Sequence, residues 1–477
     1  MDSATFRRHG HELVDWIADY FDHPDRYPVL ARVEPGEIAA ALPAAAPEDP
    51  EPFGDVMADF DRLLVRGLTH WNHPRFFAYF AISASPPGVL ADFLSSALNQ
   101  QAMLWRTSPA ATELEAVTLG WLRQLMNLPD AFEGVIYDTA SIATLHALAA
   151  ARHAAIPDVR RTGLTGRSDV PQLRIYCSEQ AHSSVDKAAI ALGLGERSLR
   201  KIAVDDGFRM RADLLAAAVA EDRKAGIVPM AVVATVGTTA TTSIDPVPAI
   251  AEIAARERMW LHVDAAYGGA AALVPSHAHV LDGTDRADSF VVNPHKWLFT
   301  PFDLSAFYCR RMDMVRETFS LTPAYLQTPE PGVRNLMDTG IQLGRRFRAL
   351  KLWMVLRTYG AQGIRAHLDR HLQLAQLFAS WVDGHPDFER MAPVPFSVVC
   401  FRWRPADGFC AGPALDAANE QLVDVVNATG QVFLSHTRLQ GAVVIRMAIG
   451  HLRTGEPDVR RAWELLVDHA GKGAATR

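Results

Sequence analysis

Lys296 follows the apolar run Phe290–Val292 in SFVVNPHKWLF, and Asp264 closes a similar run in WLHVDAAYGGA. A lone lysine behind a buried strand is most often a snorkelling surface residue. Beside Asn293, Pro294 and His295, with a carboxylate upstream in the same kind of position, it reads differently. A lysine desolvated in a crevice has a lowered pKa and condenses with a carbonyl. A carboxylate in the same crevice holds a protonated ring nitrogen and makes that ring an electron sink. A third feature is VIYDTASIATLHAL, read as strand, turn and helix, with Thr139, Ala140 and Ser141 at the helix start. Free backbone N–H groups and a hydroxyl there suit a phosphate, whereas Ser141 by itself would be only an N-cap. His182 in YCSEQAHSSVDKA, and Thr238, Thr239 and Asp245 in ATVGTTATTSIDPV, also follow apolar runs. His182 is placed to stack on a flat ring.

An amine, a carboxylate and a phosphate cradle are together what pyridoxal 5'-phosphate demands of a protein. The elements that must position them are short runs rich in Val, Ile and aromatics: Val135–Tyr137, Leu173–Cys177, Ala231–Val236, Trp260–Val263, Phe290–Val292 and Ser305–Tyr308. Stretches of helical period, such as Ile142–Arg152 and Val247–Arg258, lie between most of them. That alternation predicts an α/β fold with a mostly parallel sheet covered on both faces. Ligands of such sheets bind at the carboxyl ends of the strands, where the residues above fall. Three consecutive parts are expected: residues 1–75, a helical segment and arm; 76–365, a large cofactor-binding α/β domain; and 366–477, a smaller C-terminal α+β domain. In the first part Phe6, Leu13, Trp16, Ile17 and Tyr20 form one apolar helix face, followed by the Pro- and acid-rich Ala41–Asp55. Such a face needs the main body or a second subunit to cover it.

Composition narrows the function classes. Hydrophobic residues at 49% and charged residues at 21% sustain a large core over 477 residues and exclude wholesale disorder. A net charge of −7 argues against a nucleic-acid partner. Cys177, Cys309, Cys400 and Cys410 lack CxxC spacing, so neither a disulfide framework nor a zinc ribbon is indicated. No apolar run approaches the roughly 18 residues of a membrane span, and the N-terminus lacks a signal-like apolar core; a cytoplasmic protein is expected. His277 and His279 lack a third ligand at useful spacing, so no metal is expected. ALGLGE (191–196) reads as a helix-ending turn. Arg345, Arg346 and Arg348 are expected in interdomain or dimer ion pairs.

The segments AHSSVDKA, ATVGTTATTSID, HVDAAYGG, NPHKWL and LGRRFRALKLW, with FFAYF, SPAATELE, VVIRMAIGHLRT and RRAWE, run the length of the chain. In them the sequence resembles the pyridoxal-phosphate-dependent group II amino acid decarboxylases, and within these the aromatic L-amino acid decarboxylases. NPHKW after HVDAAYGG is highly specific, while the TAS turn alone is weak. The resemblance implies the fold type I architecture, aspartate aminotransferase-like, in a homodimer whose N-terminal helical segment packs on the partner and whose active site lies at the subunit interface. It implies that Lys296 carries the cofactor, Asp264 pairs with its ring nitrogen and His182 stacks on it. Thr139, Ala140, Ser141, Asn293 and His295 would surround the phosphate side, and Thr239 and Ala266 would line the ring. Tyr325, in SLTPAYLQTPEPGVRN, would lie on a loop over the site and return a proton to the substrate carbon after carbon dioxide leaves; members with Phe there tend toward aldehydes.

For the substrate side chain the resemblance points to Trp71, Tyr79 and Phe80 as flat apolar walls, and to Gly344 as space for a wide ring. Departures leave the substrate open among tryptophan, tyrosine, phenylalanine and L-DOPA. Animal aromatic decarboxylases carry Pro-Thr where this chain has Ala81-Ile82, and Ile and Phe where it has Gln101 and Met103. Gln101 brings a polar group toward the pocket. The alternatives are decarboxylation of an acidic or other polar amino acid, for which Gln101 is the only hint, and aromatic aldehyde synthesis, which Tyr325 disfavours. A non-catalytic cofactor-binding homodimer is the remote third, since Lys296, Asp264, His182 and Tyr325 are all kept.

Overall fold

The computed structural model describes residues 1–321, 330, 332–406 and 412–471; Tyr325 and Cys410 lie outside them. The apolar runs form strands β1 (Glu133–Tyr137), β2 (Leu173–Ser178), β3 (Leu199–Ile202), β4 (Val228–Thr235), β5 (Trp260–Asp264), β6 (Ser289–Val292) and β7 (Ser305–Cys309). They make one seven-stranded sheet in the order β1-β7-β6-β5-β4-β2-β3. β3 pairs parallel with β2, β2 with β4, β4 with β5 and β5 with β6, while β7 runs against both β6 and β1. The mostly parallel sheet expected from the strand–helix alternation is present. β3, LRKI at the edge of the sheet, carries two basic residues and gives no apolar run by which to read it. Every residue of β5, β6 and β7 is buried, which is why these strands read as unbroken apolar runs rather than alternating ones.

Helices cover the sheet where the chain has small residues at helical spacing. The helix Ala140–Ala155 buries Ala143, Ala147, Leu148, Ala149, Ala150 and Ala151. It joins Val135, Ile175, Val233 and Phe307 in a single apolar cluster, and small side chains let helix and sheet approach closely. The helix Ser184–Ala191 stops at ALGLGE, where Gly193 and Gly195 take φ of 72° and 76°, a left-handed backbone that favours glycine.

By contacts the chain divides into two units, one of Met1–Ala81, Trp381–Glu389 and Phe401–Arg477, the other of Ile82–Ser380 and Arg390–Cys400. This division differs from three consecutive segments, because the N-terminal stretch pairs with C-terminal strands. Phe76 bridges in parallel to Phe433, Phe77 N–H donates to Phe433 O at 2.9 Å, and Ala448 N–H donates to Phe77 O at 2.9 Å. The C-terminal strands β8 (Phe388–Arg390), β9 (Val398–Trp403), β10 (Ser435–Leu439) and β11 (Ala442–Ala448) form a second sheet, ordered β10-β11-β9-β8. Helix Ser3–Asp22 begins on Asp2, whose carboxylate accepts the Thr5 N–H, a stabilising N-cap. It has no fully buried residue. Among the described residues no helix is long and apolar enough to cross a membrane.

Candidate active site

Strand direction gathers the chemistry along one edge of the seven-stranded sheet. Thr235 lies opposite Asp264, Asp264 opposite Val291, Val292 opposite Ala306, and Ser305 opposite Tyr137. The ends of β1, β4, β5 and β6 and the start of β7 therefore share a rim. Thr139–Ser141, Thr239, Asp264–Ala266 and Asn293–Lys296 all sit on it, and His182 follows the end of β2.

Lys296 lies in the short helix Pro294–Trp297 directly after β6. Burial pulls its amine below the ordinary lysine value, and the charge of Asp264 opposes that pull. Asp264, 6% exposed, is the last residue of β5. Its Oδ1 accepts the Ala266 N–H at 3.0 Å, so the turn that carries Ala266 also fixes the carboxylate. His182 stands at the exposed surface of the chain. Desolvation on its protein side still holds it below the ordinary histidine value, with Asp264 raising it and Lys296 lowering it further. Its Nδ1 accepts the Ser184 N–H at 3.1 Å, which leaves the proton of the neutral ring on Nε2. These three side chains feel one another's charge.

The turn after β4 is closed by its own hydroxyls. Ser243 N–H donates to Thr238 Oγ1 at 3.0 Å, Thr238 and Thr241 Oγ1 are 3.1 Å apart, and Thr241 Oγ1 and Ser243 Oγ 2.6 Å. Thr238 is thereby a structural residue, while Thr239 is exposed. Asp245 is buried, accepts the N–H groups of Met210 and Thr235, and is pushed up to about 6 by burial. The glycines of this region have a steric cause. A Cβ on Gly268 would lie 2.5 Å from Val236 O, and one on Gly237, at φ 93°, would lie 2.9 Å from Gly268 N. The turns after β4 and β5 touch backbone to backbone, closer than any side chain allows.

At the start of the helix Ala140–Ala155, Thr139 takes the N-cap position in extended conformation with no side-chain cap bond. Its N–H goes instead to Asp138 Oδ1 at 2.6 Å, so the N–H groups of the helix's first turn stay available to an anion. Next to it runs a buried polar chain. Leu304 N–H donates to His295 Nδ1 at 2.9 Å, placing the proton of the neutral ring on Nε2. That atom is 3.4 Å from the Asn293 amide, which is 2.8 Å from Ser305 Oγ, which is 3.4 Å from Asp138 O. With the Asn293 oxygen turned to the ring, each donor in this chain meets an acceptor. Burial, aided by Lys296, takes His295 down to about 3, so it is a neutral donor at any working pH. Asp138 and Ser305 were not among the candidate site residues read from sequence; Asp138 directly follows the apolar run of β1 and Ser305 opens that of β7, which is the signal that points to them.

Gln101, Met103 and Gly344 come together through segments far apart in sequence. Gln101 bridges to Arg346, and Ala102 N–H donates to Arg345 O at 2.8 Å. Met103 packs against Leu104 and Met337. Glu115, from SPAATELE, anchors this region: buried at 2% exposure, its Oε1 accepts Ile136 N–H and Arg345 Nη2, each at 2.8 Å. The arginine cluster is corrected here. Arg345 pairs with Glu115, Arg346 with Asp92 and Arg348 with Asp303, all inside one unit, because each faces an acid brought by a neighbouring element. Trp71, Tyr79 and Phe80 belong to the other unit. There Trp71 stacks on Phe76 and Tyr79, and Phe80 lies under Arg446 at 5.5 Å.

A desolvated amine beside a fixed carboxylate, next to a helix N-terminus with open N–H groups, fits a carbonyl-bearing, ring-nitrogen-containing phosphate ester. Residues 35–404 match the model of the pyridoxal-dependent decarboxylase conserved domain. The chain belongs to the pyridoxal-dependent decarboxylase family. Within that family it is 40% identical to the aromatic-L-amino-acid decarboxylase of Sus scrofa, over 97% of this chain and 96% of that one. It is 39% identical to a phenylacetaldehyde synthase of Arabidopsis thaliana, over 98% and 96% of the two chains. The crystal structure of Oryza sativa TDC with PLP and tryptamine superposes with a TM-score of 0.95 at 37% identity, covering 99% of both chains. This decarboxylase thus has the fold of pyridoxal-phosphate enzymes of type I.

Proposed function

We propose that the chain decarboxylates an aromatic L-amino acid, one of tryptophan, tyrosine, phenylalanine or L-DOPA, to the arylalkylamine and carbon dioxide. The observation that carries the proposal is the meeting of Lys296, Asp264 and His182 at strand ends, in a chain similar throughout to aromatic decarboxylases. Pyridoxal phosphate, when bound, supplies an electron-poor ring that draws electrons from the substrate's α-carbon as carbon dioxide leaves. The chain's own part is positioning and proton control. Lys296, its amine shifted toward neutrality by burial, is the group that holds the cofactor's carbonyl. Asp264, with Oδ1 engaged by Ala266 N–H, has Oδ2 to keep the proton on the ring nitrogen. Open N–H groups of Ala140 and Ser141, with Thr139, serve the phosphate side, and Asn293 and His295, already bonded to each other, support it from behind; Thr239 and Ala266 border the ring. His182 offers a flat ring and an Nε2 proton, and Tyr325 returns a proton to the α-carbon. On the family resemblance, Gln101, Met103 and Gly344 in one unit, and separately Trp71, Tyr79 and Phe80 in the other, are proposed as residues for the substrate side chain.

We assign the working form as a homodimer, supported by two apolar faces: helix Ser3–Asp22, with Phe6 and Val14 exposed, and helix Pro86–Leu98, with Leu90, Phe93, Leu94 and Leu98 exposed. The cytoplasm is the proposed compartment, in keeping with Cys177, Cys309 and Cys400 as buried thiols that form no disulfide among the described residues. A second reading, aldehyde formation, is supported by the 39% identity to an aldehyde synthase. Incubating the holoenzyme in air with each standard L-amino acid, and measuring amine, aldehyde, carbon dioxide and peroxide together, decides between them. Amine and carbon dioxide from aromatic acids without peroxide is the expected result. Aldehyde with peroxide would transfer the assignment to the second reading, and amine only from acidic substrates would overturn the aromatic one.

A further inference from the structure

A cavity of about 420 Å³ opens at the other edge of the seven-stranded sheet, away from the rim that carries Lys296. Its walls come from the starts of β4 and β5, at Val228–Met230 and Trp260–Leu261, and from the helices Ala140–Ala155 and Val247–Glu257. Trp260 begins the strand that Asp264 ends, so about 13 Å of strand separates the cavity from the candidate active site. Alanine makes the room: Ala154 and Ala155 of one helix and Ala254 and Ala255 of the other face the space. Met230 and Met259 add thioethers, which contact aromatic rings favourably. A volume of this size suits one small molecule.

Three exposed arginines, Arg258, Arg286 and Arg311, border the cavity. Because β7 runs against β6, Cys309 lies opposite Ser289, and Arg311 just beyond it reaches the edge where β6 starts. Arg311 lies over the Trp260 ring at 5.2 Å and is 3.9 Å from Asp288 Oδ1. Arg286 is equally far from Glu252 Oε1. Both separations exceed a hydrogen bond. Arg258 has no acidic partner among the described residues, whereas its neighbours Arg223 and Arg256 reach Glu257 at 2.7 and 3.0 Å. Asp288 is the carboxylate on the wall, and its Oδ2 already accepts the Leu261 N–H at 2.9 Å. Positive charge is thus in local excess on a chain whose net charge is −7. Arg258 also ends its helix at φ 57° and ψ 37°, a left-handed position that glycine takes at less cost.

We infer that this cavity is a second binding site, for a small aryl anion whose carboxylate or phosphate meets Arg258, Arg286 and Arg311 while its ring lies on the alanine and methionine walls. The site is separate from the proposed decarboxylation and stands whether or not that reading holds. Guanidinium groups bond carboxylate and phosphate oxygens through paired N–H donors. A mouth lined by one sign of charge draws the opposite sign and repels its own, so an arylalkylamine of the same size is turned away. The ring supplies the remainder of the binding, since a bare anion leaves the apolar walls in water.

The test is calorimetric titration of the holoenzyme with phenyl phosphate, 3-phenylpropionate and inorganic phosphate, in the natural chain and in Arg258→Gly, Arg311→Met and Ala255→Phe. Thermal melting shows whether each variant is folded, and Arg258→Gly is expected to melt no lower than the natural chain. One or both aryl anions should bind once per chain, about tenfold or more tighter than inorganic phosphate. Excess phenylethylamine, which would compete at a catalytic site, should not displace them. Each arginine substitution is expected to raise Kd about tenfold, and Ala255→Phe, which fills the cavity and leaves its charge alone, to abolish binding. Added salt should weaken the interaction, since the arginines are exposed. No saturable binding of either aryl anion, displacement by phenylethylamine, equal affinity for inorganic phosphate, or a Kd unmoved in the folded variants overturns the inference.

Discussion

Lys296 and Asp264 oppose each other electrostatically. Burial favours the neutral amine, and the carboxylate favours the ammonium. Replacing the lysine removes the group that holds the carbonyl. Lys296→Ala is expected to lose the visible absorbance of lysine-bound cofactor and about a thousandfold or more in turnover. Asp264→Asn should retain that absorbance and lose roughly a hundredfold, since a neutral amide does not hold a proton on the ring nitrogen. An alanine variant at 296 that still turns over near the natural rate, in a steady-state amine assay, would remove this lysine from the proposed role. Both positions stood out in the sequence because Asp264 closes one apolar run and Lys296 follows another within four residues. Their partners stood out less: Ala266 N–H, which fixes Asp264, is a backbone group, and the Asn293–His295–Ser305–Asp138 chain links four residues from two distant segments.

Among the elements, the segment carrying Gly344 and Arg345 depends on a buried ion pair. Arg345 Nη2 donates to Glu115 and, at 2.7 Å, to Ile136 O, while Nη1 donates to Ala102 O at 3.2 Å. Removing one partner leaves an uncompensated buried charge, which costs about 3–5 kcal/mol. Arg345→Met and Glu115→Leu should each lower the urea midpoint by that measure, and the double variant by less than the two together. Strict additivity of the two losses would show that the pair does not act as one unit. The strands of the main sheet were readable apart from β3, whose polar edge position hides the usual apolar signal. The grouping of residues 1–81 with the C-terminal strands was not readable, because it rests on pairing across hundreds of residues and no local pattern encodes that partner choice.

For the chain as a whole, buried histidines set the acid limit. His73, His146 and His262 are buried and held down to about 4 by desolvation. An unfolded chain protonates them near 6.5, so folding stability is full above that pH and falls as pH drops from 6.5 toward 4. At pH 5.5 the three together remove about 4 kcal/mol relative to pH 8, and Asp245, raised to about 6, returns under ~1 kcal/mol. Urea midpoints at the two pH values should therefore differ clearly in that direction; equal midpoints would mean that these imidazoles are protonated in the folded chain. The exposed faces of helices Ser3–Asp22 and Pro86–Leu98 carry a separate expectation, twice the chain mass in sedimentation at micromolar concentration, which a monomer would contradict. The place of β1 at the sheet edge, paired with β7 alone among the described strands, has a consequence for biosynthesis. As the chain leaves the ribosome, the apolar strand ending in Tyr137 waits through roughly 170 further residues for its partner. Throughout that interval the nascent chain carries an unpaired edge, and it is then that a chaperone or a neighbouring nascent chain has most to grip.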